Sequence, residues 1–420
     1  MTESFQPSRP VSEGVRSMPP YRLSHPESGR IRVMTVFGTR PEAVKMCPLV
    51  QALQRDERME SILCVTAQHR QMLDQVLDIF GLTPDHDLDI MQDRQTLTGI
   101  TTRALMGVSG VLDTVKPDIV LVHGDTTTTF VAGLAAFYHQ IRVGHVEAGL
   151  RTHDRYSPYP EEMNRKLTGA LADIHFAPTA RNRENLLREG IPDRDIHITG
   201  NTVIDALSAT ILPDYTFSEP FLRSFRFEGK RVVLVTAHRR ENLGEPLEAI
   251  CRALYKVVET FPDIEIIYPV HLNPSVQDTA RRMLGGHPRI HLITPVNVQD
   301  MHNLMARSHL VMTDSGGLQE EAPSLGKPVL VLRNETERPE AVTAGTARLV
   351  GTTYDGVLEA AMELLGPGDS WNRMAHAVNP YGDGHACDRI VEALAWAFGL
   401  SDLRPDTFGH DKEPKQWETS

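Results

Sequence analysis

Short apolar runs rich in β-branched residues recur along the chain in two sets, and stretches of helical period separate them. The first set is 31–37, 62–66, 118–123, 141–146, 174–177 and 196–199. The second is 231–236, 264–269, 290–293, 309–313, 329–332 and 347–350. Helical patterns fill the gaps, as at 43–54, 71–80 and 245–259. Such alternation builds right-handed βαβ crossovers and parallel sheets, so the expected fold is α/β with two Rossmann-like domains. The pattern lapses over 206–229, which carries Pro213 and Pro220 and marks the link. Near the end, Ile390, Val391, Leu394 and Phe398 share one face of a helix expected to pack back across both domains. The predicted organisation is a disordered tail over 1–30, domains over 31–203 and 204–382, that helix over 383–403, and a flexible tail over 404–420.

Composition narrows the class. The chain has 420 residues, 40% hydrophobic and 23% charged, as expected of a soluble two-domain protein. A net charge of -12 argues against general nucleic-acid binding, although local arginines can still hold an anion. Cys47, Cys64, Cys251 and Cys387 are scattered without a C-x-x-C pair, which reads as reduced thiols in a cytoplasmic protein. The histidines form no H-E-x-x-H or Cys/His knuckle, so no metal is expected. The first thirty residues lack a signal-peptide core, and no apolar run is long enough to span a bilayer.

Candidate chemistry gathers at the carboxyl ends of the predicted strands, where ligands bind in sheets of this kind. The segment TDSGGLQEEAPSLGKP over 313–328 places Ser315, Gly316 and Gly317 at a helix start, whose unpaired amides can hold a phosphate. Glu320 and Glu321 follow, expected in the first turn, as acceptors for ribose hydroxyls; the ligand suggested is a nucleotide-sugar. Arg40 and Lys45 stand after the first strand, on either side of Pro41 and beyond Gly38, and face the crevice. Three further segments present acid: His123-Gly124-Asp125, then His145 to Gly149 with Glu147, then the proline-stiffened 157–162 with Glu161. Expected to come from separate crossovers onto one rim, these carboxylates should raise one another's pKa toward acid/base use. Asp125 read alone could equally be a helix cap. In the second domain His238 is either a crevice imidazolium beside a diphosphate or a structural ring held by Glu241, while Arg338 is placed to pair with phosphate.

Several longer segments resemble the non-hydrolysing UDP-N-acetylglucosamine 2-epimerases. They include GTRPEA at 38–43, VLVHGDTTTT at 120–129, GHVEAGLRT at 144–152, YSPYPEEMNR at 156–165, ITGNTVIDAL at 198–207, TAHRREN at 236–242 and ERPEAVTAGT at 337–346. The resemblance implies a GT-B arrangement with the active site in the interdomain cleft, and interconversion of UDP-GlcNAc and UDP-ManNAc without a cofactor. It implies Asp125, Glu147 and Glu161 as catalytic carboxylates and His238 as an aid to the leaving UDP, with the base and the acid unassigned. Arg40, Lys45, Ser315, Gly316, Gly317 and Arg338 would hold the diphosphate. Glu321 would take the ribose, leaving Glu320 structural. Val296 and Met301 depart from residues some members carry near the uracil. Bacterial members are homodimers activated by their own substrate. That likeness points to Gln68, His69, Gln71, Arg94, Gln95, Arg239 and His271 as a second UDP-GlcNAc site, with Glu161 between the two, and to sigmoidal kinetics. The rivals are a GT-B glycosyltransferase, a hydrolysing epimerase and a non-catalytic UDP-sugar-binding regulator.

Overall fold

A computed structural model describes residues 29–409 except 68, 69, 93 and 94. Gln68, His69 and Arg94 of the expected second site therefore lie outside the described residues, as do 1–28 and 410–420. Seven parallel strands form the first sheet: β1 (Ile31–Phe37), β2 (Met59–Val65), β3 (His86–Asp87), β4 (Ile119–His123), β5 (Arg142–Val146), β6 (Ile174–Ala177) and β7 (Ile196–Ile198). Six form the second: β8 (Arg231–Thr236), β9 (Ile264–Pro269), β10 (Ile290–Ile293), β11 (Leu310–Thr313), β12 (Val329–Val331) and β13 (Ala347–Leu349).

The strand orders are β3-β2-β1-β4-β5-β6-β7 and β10-β9-β8-β11-β12-β13. Both are doubly wound, with the order reversing between β1 and β4 and between β8 and β11. The central strands are mostly apolar, as at Ile119 to Val122, because helices cover both faces. Among the described residues, no helix is long and apolar enough to cross a membrane.

One strand departs from the sequence expectations. β3 is a two-residue edge strand without an apolar run, so periodicity gave no sign of it. Toward the C-terminus, the Phe408 N–H donates to the Ile198 carbonyl at 2.9 Å and the Arg389 guanidinium lies over the Phe408 ring. The final helix, Ala386–Ala397, buries Ile390, Val391 and Leu394 in the first domain's core beside Leu49 and Leu53 of the helix Arg40–Arg55. The chain thus crosses to the second sheet and returns. The helix Thr202–Thr210 lies at the same junction, packed on Arg40–Arg55 from the first domain and on Gly316–Ser324 from the second.

Candidate active site

The switch point of the first sheet is tied together by a buried acid. Glu42, 1% exposed, accepts the Gly38 and Thr39 amides at 3.1 and 2.8 Å and the Thr126 and Thr129 hydroxyls at 2.7 and 3.2 Å. It joins the loops after β1 and β4. Burial pushes its carboxyl above the ordinary range in spite of these donors. A Cβ on Gly38 would lie 1.9 Å from the Thr66 hydroxyl, so this turn excludes side chains. The turn delivers Arg40, exposed, and Lys45, one helical turn later, to the crevice.

Lys45 is ion-paired with Glu147, and both side chains are largely buried. Glu147 follows β5 in a left-handed conformation, φ 60°. Its Oε2 also accepts from Asn201 Nδ2 at 2.8 Å and lies 3.7 Å from His123 Nε2. Burial favours the neutral acid, but the Lys45 ammonium outweighs it, with help from His123 and Arg338, and holds the carboxyl well below the ordinary range. This corrects the expectation of mutually raised carboxylates: Glu147 faces a cation more closely than it faces another acid. Burial pushes His123 down to about 4, so that ring is neutral at physiological pH. Asp125 accepts from Arg165 Nε and Nη2 at 3.0 and 2.6 Å, and its carbonyl accepts from Asn164 Nδ2 at 2.9 Å. It is thus ion-paired, and it precedes the helix Thr127–Tyr138, whose cap is Thr126. Glu161 opens the helix Glu161–Leu171, with Oε2 buried and no protein hydrogen-bond partner. Glu147 and Glu161 both belong to the connection after β5, so the three acids come from two crossovers and not from three.

Across the cleft, Asp314 follows β11 fully buried. Its Oδ2 accepts the backbone N–H groups of His238 and Arg239, both at 2.7 Å, and Asn242 Nδ2 at 3.0 Å; its Oδ1 lies 3.4 Å from His238 Nδ1. Sequence reasoning missed this acid. His238 also stacks on His271, centroids 5.0 Å apart, while Glu241 pairs with Arg333 at 2.8 Å instead. Burial lowers the His238 pKa in spite of Asp314, which favours the neutral ring over the anticipated imidazolium in the ligand-free protein.

Ser315 caps the helix Gly316–Ser324 through its backbone, so the first amides of that helix face the cleft without a side-chain cap. Counting from Gly316, Glu320 and Glu321 start the second turn, one turn later than expected. Glu320 is 2% exposed and ion-paired with Arg338, and it accepts from Asn201 Nδ2 at 2.8 Å. Burial raises its pKa even so. Glu321 sits with Oε2 3.4 Å from His302 Nε2, and His302 Nδ1 is 2.7 Å from the Thr210 hydroxyl.

A cleft of about 450 Å³ runs between the domains, lined by Arg40, Lys45, His238, His271, Ser315, Gly317, Glu320, Glu321 and Arg338, with Val296 and Met301 on its wall. Cations from both domains, a helix start and a carboxylate beside an apolar wall are what a nucleoside diphosphate would meet.

The UDP-N-acetylglucosamine 2-epimerase family model matches residues 51–395. The chain belongs to that family. The Bacillus subtilis UDP-N-acetylglucosamine 2-epimerase is 55% identical over 379 residues, 90% of this chain and 99% of the relative. That of Escherichia coli K12 is 56% identical over 371 residues, 87% and 98% of the two chains. A crystal structure of the Neisseria meningitidis UDP-GlcNAc 2-epimerase bound to UDP-GlcNAc superposes with a TM-score of 0.79 at 49% identity, covering 87% of this chain and 100% of that one. Two Rossmann-like domains in a GT-B arrangement are the fold of this epimerase family and of this chain.

Of the residues anticipated for a second ligand site in this family member, Arg239 and His271 adjoin His238 at the cleft. Gln71 is near the start of the helix Arg70–Phe80, and Gln95 accepts from Arg103 at 3.0 Å.

Proposed function

We propose that the protein inverts C2 of UDP-GlcNAc, giving UDP-ManNAc, by eliminating UDP and adding it back through a 2-acetamidoglucal. The C2 proton has no adjacent carbonyl to acidify it. Its removal becomes feasible when the C1–O bond breaks in the same process, its electron pair leaving with UDP while C1=C2 forms. Return of a proton to the opposite face of C2 and of UDP to C1 completes the change with no net oxidation. Inversion therefore needs proton carriers on both faces of the sugar and a site that keeps UDP bound. The observation that carries the proposal is Glu147, buried and ionised beside Lys45, which itself lines a cleft suited to a nucleoside diphosphate. Asp125, Glu161 and Glu147 are the candidate proton carriers. His238, fixed by Asp314, is the candidate group at the departing diphosphate. Arg40, Lys45, Arg338 and the Ser315-Gly316-Gly317 turn would hold the phosphates, and Glu321 the ribose.

The deciding assay incubates the protein with UDP-GlcNAc in deuterated water and quantifies UDP alongside. Deuterium at C2 of both epimers without stoichiometric UDP is expected. Stoichiometric UDP with free sugar would point to the hydrolysing reaction. No exchange without an acceptor would point to a glycosyltransferase, and binding alone to a regulator. We further propose a cytoplasmic homodimer activated by its own substrate, supplying UDP-ManNAc to cell-surface polysaccharide synthesis. Hyperbolic kinetics with UDP-ManNAc alone would argue against the activation.

A further inference from the structure

Asn201 occupies the junction of the two domains, 3% exposed, at the N-cap of the helix Thr202–Thr210. Its Oδ1 accepts the Val203 amide at 3.1 Å. That bond fixes which end of the carboxamide is nitrogen. The nitrogen then has two hydrogens to donate, and it lies 2.8 Å from Glu147 Oε2 and 2.8 Å from Glu320 Oε2. One acceptor comes from the end of β5 in the first domain, the other from the helix Gly316–Ser324 in the second.

The backbone around Asn201 is held as firmly as its side chain. The Asn201 N–H donates to the Tyr381 carbonyl at 2.6 Å. Gly200 has φ 85°, and a Cβ there would stand 3.3 Å from Gly382 Cα. Arg389 reaches the adjoining Thr199 carbonyl at 3.0 Å and makes a two-pronged pair with Asp383 at 2.8 and 2.6 Å. The carboxamide is thus presented from a rigid turn to two carboxylates of opposite domains.

We propose that Asn201 is a positioning residue for the reaction, its carboxamide setting Glu147 in register with the second domain through Glu320. The inference rests on the reaction proposed above. Two buried carboxylates that meet one donor nitrogen would repel each other, so the shared N–H groups and the flanking Lys45 and Arg338 are what hold them in place. Lys45 and Arg338 also line the cleft. Once a diphosphate competes for those cations, Asn201 is the neutral, non-competing partner that keeps Glu147 where it stood. Displacing a catalytic group by about 1 Å costs on the order of 100-fold in rate.

The experiment must separate this role from helix capping. Asn201→Asp does so, because aspartate caps as well as asparagine and keeps the volume, yet turns the double donor into a third carboxylate facing Glu147 and Glu320. The expected result is a folded variant that still binds UDP, with kcat for C2 exchange lower by about 100-fold and a melting temperature that drops as pH rises, because a third buried carboxylate repels the other two. The residual rate should climb as pH falls, because the introduced carboxyl, once protonated, can again donate one hydrogen bond. The groups around it are Glu147, Glu320, Lys45, Arg338 and His123. Should that variant not fold, Asn201→Ser retains a capping hydroxyl but cannot span the two acids. It carries the same expectation for kcat without recovery at low pH. A kcat near wild type with an unchanged pH profile, or a rise in KM with kcat intact, overturns the inference. Wild-type exchange is measured alongside: its absence sinks the proposed reaction, whereas normal wild-type exchange with unimpaired variants sinks this inference alone.

Discussion

Replacing Lys45 with methionine keeps most of the side chain's volume and removes only its charge. The Lys45 and Glu147 side chains are 16% and 7% exposed, so the pair is shielded from water. Removing one partner of a buried pair costs about 3–5 kcal/mol, because the other charge is stranded. Asn201 still donates to Glu147 in the variant, which argues for the lower end, near about 3 kcal/mol at pH 8. The pH dependence follows from the direction of each shift. In the wild type the Glu147 carboxyl is held below its ordinary value of 4.5. Its stabilising contribution is therefore complete above that value and is lost as pH falls through the lower folded value. The Lys45 ammonium is held above its ordinary 10.5, with Glu147 outweighing burial. Its contribution is complete below that value and is lost only at higher pH. In Lys45→Met the largest influence left on Glu147 is burial, which raises its folded pKa above 4.5. The variant's acid then destabilises most at high pH and is relieved by protonation as pH falls. Urea unfolding followed by circular dichroism at pH 5, 6, 7 and 8 should show a gap to wild type that is widest at pH 8 and at least about 1 kcal/mol narrower at pH 5. A gap of constant size across that range, or one below about 1 kcal/mol at pH 8, would refute the assigned pairing.

Two further outcomes are expected. Glu321→Gln removes a charged acceptor from the cleft wall without touching the Lys45–Glu147 pair, so the Kd for UDP should rise by about 10- to 100-fold, the loss of hydrogen bonds to a charged group. A fall in kcat with unchanged Kd would reverse that reading of Glu321. UDP binding should be accompanied by net proton uptake. Glu320 is already held above the ordinary carboxyl range by burial, and phosphates that draw Arg338 away remove its main compensation. Titration calorimetry at pH 6.5 in buffers of different ionisation enthalpy reads the proton count directly, and zero or net release contradicts the argument.

The sheets were legible because their central strands are buried on both faces and so read as unbroken apolar runs, Val329 to Val331 among them. β3 was hidden because two polar residues, His86 half-buried and Asp87 exposed, are too few to show any alternation. Arg40, Lys45, His238, Ser315, Glu321 and Arg338 were legible as cleft residues because each lies just beyond a strand's carboxyl end. Glu42 carried a local signal, the Thr39-x-x-Glu42 capping box, but nothing local announced that it would also take hydroxyls from Thr126 and Thr129. Asp314 and Asn201 act through partners distant in the chain. Asp314 fixes His238, 76 positions away, and Asn201 reaches Glu147 and Glu320 at separations of 54 and 119. A pattern read along the chain sees Asn201 only as a helix cap.

The same difference explains why the Glu147 carboxyl is held low. Counting acids at a rim predicts repulsion, but folding supplies a cation to most of them: Lys45 to Glu147, Arg165 to Asp125 and Arg338 to Glu320. In each pair the two partners come from different elements, so no local pattern joins them. For Glu147 the pairing outweighs the desolvation that would otherwise neutralise a buried acid. It also makes the ligand part of the electrostatics. A diphosphate arriving in the cleft competes with Glu147 and Glu320 for Lys45 and Arg338, so the basicity of Glu147 must rise while UDP is held there. The proposed elimination and re-addition would use the same condition, because UDP that stays in the cleft would keep Glu147 primed for the return step. In that scheme, loss of UDP would restore the Lys45 pair and make Glu147 a weaker base again. On the proposed reaction, chemistry and retention of the nucleotide would therefore be coupled through Lys45.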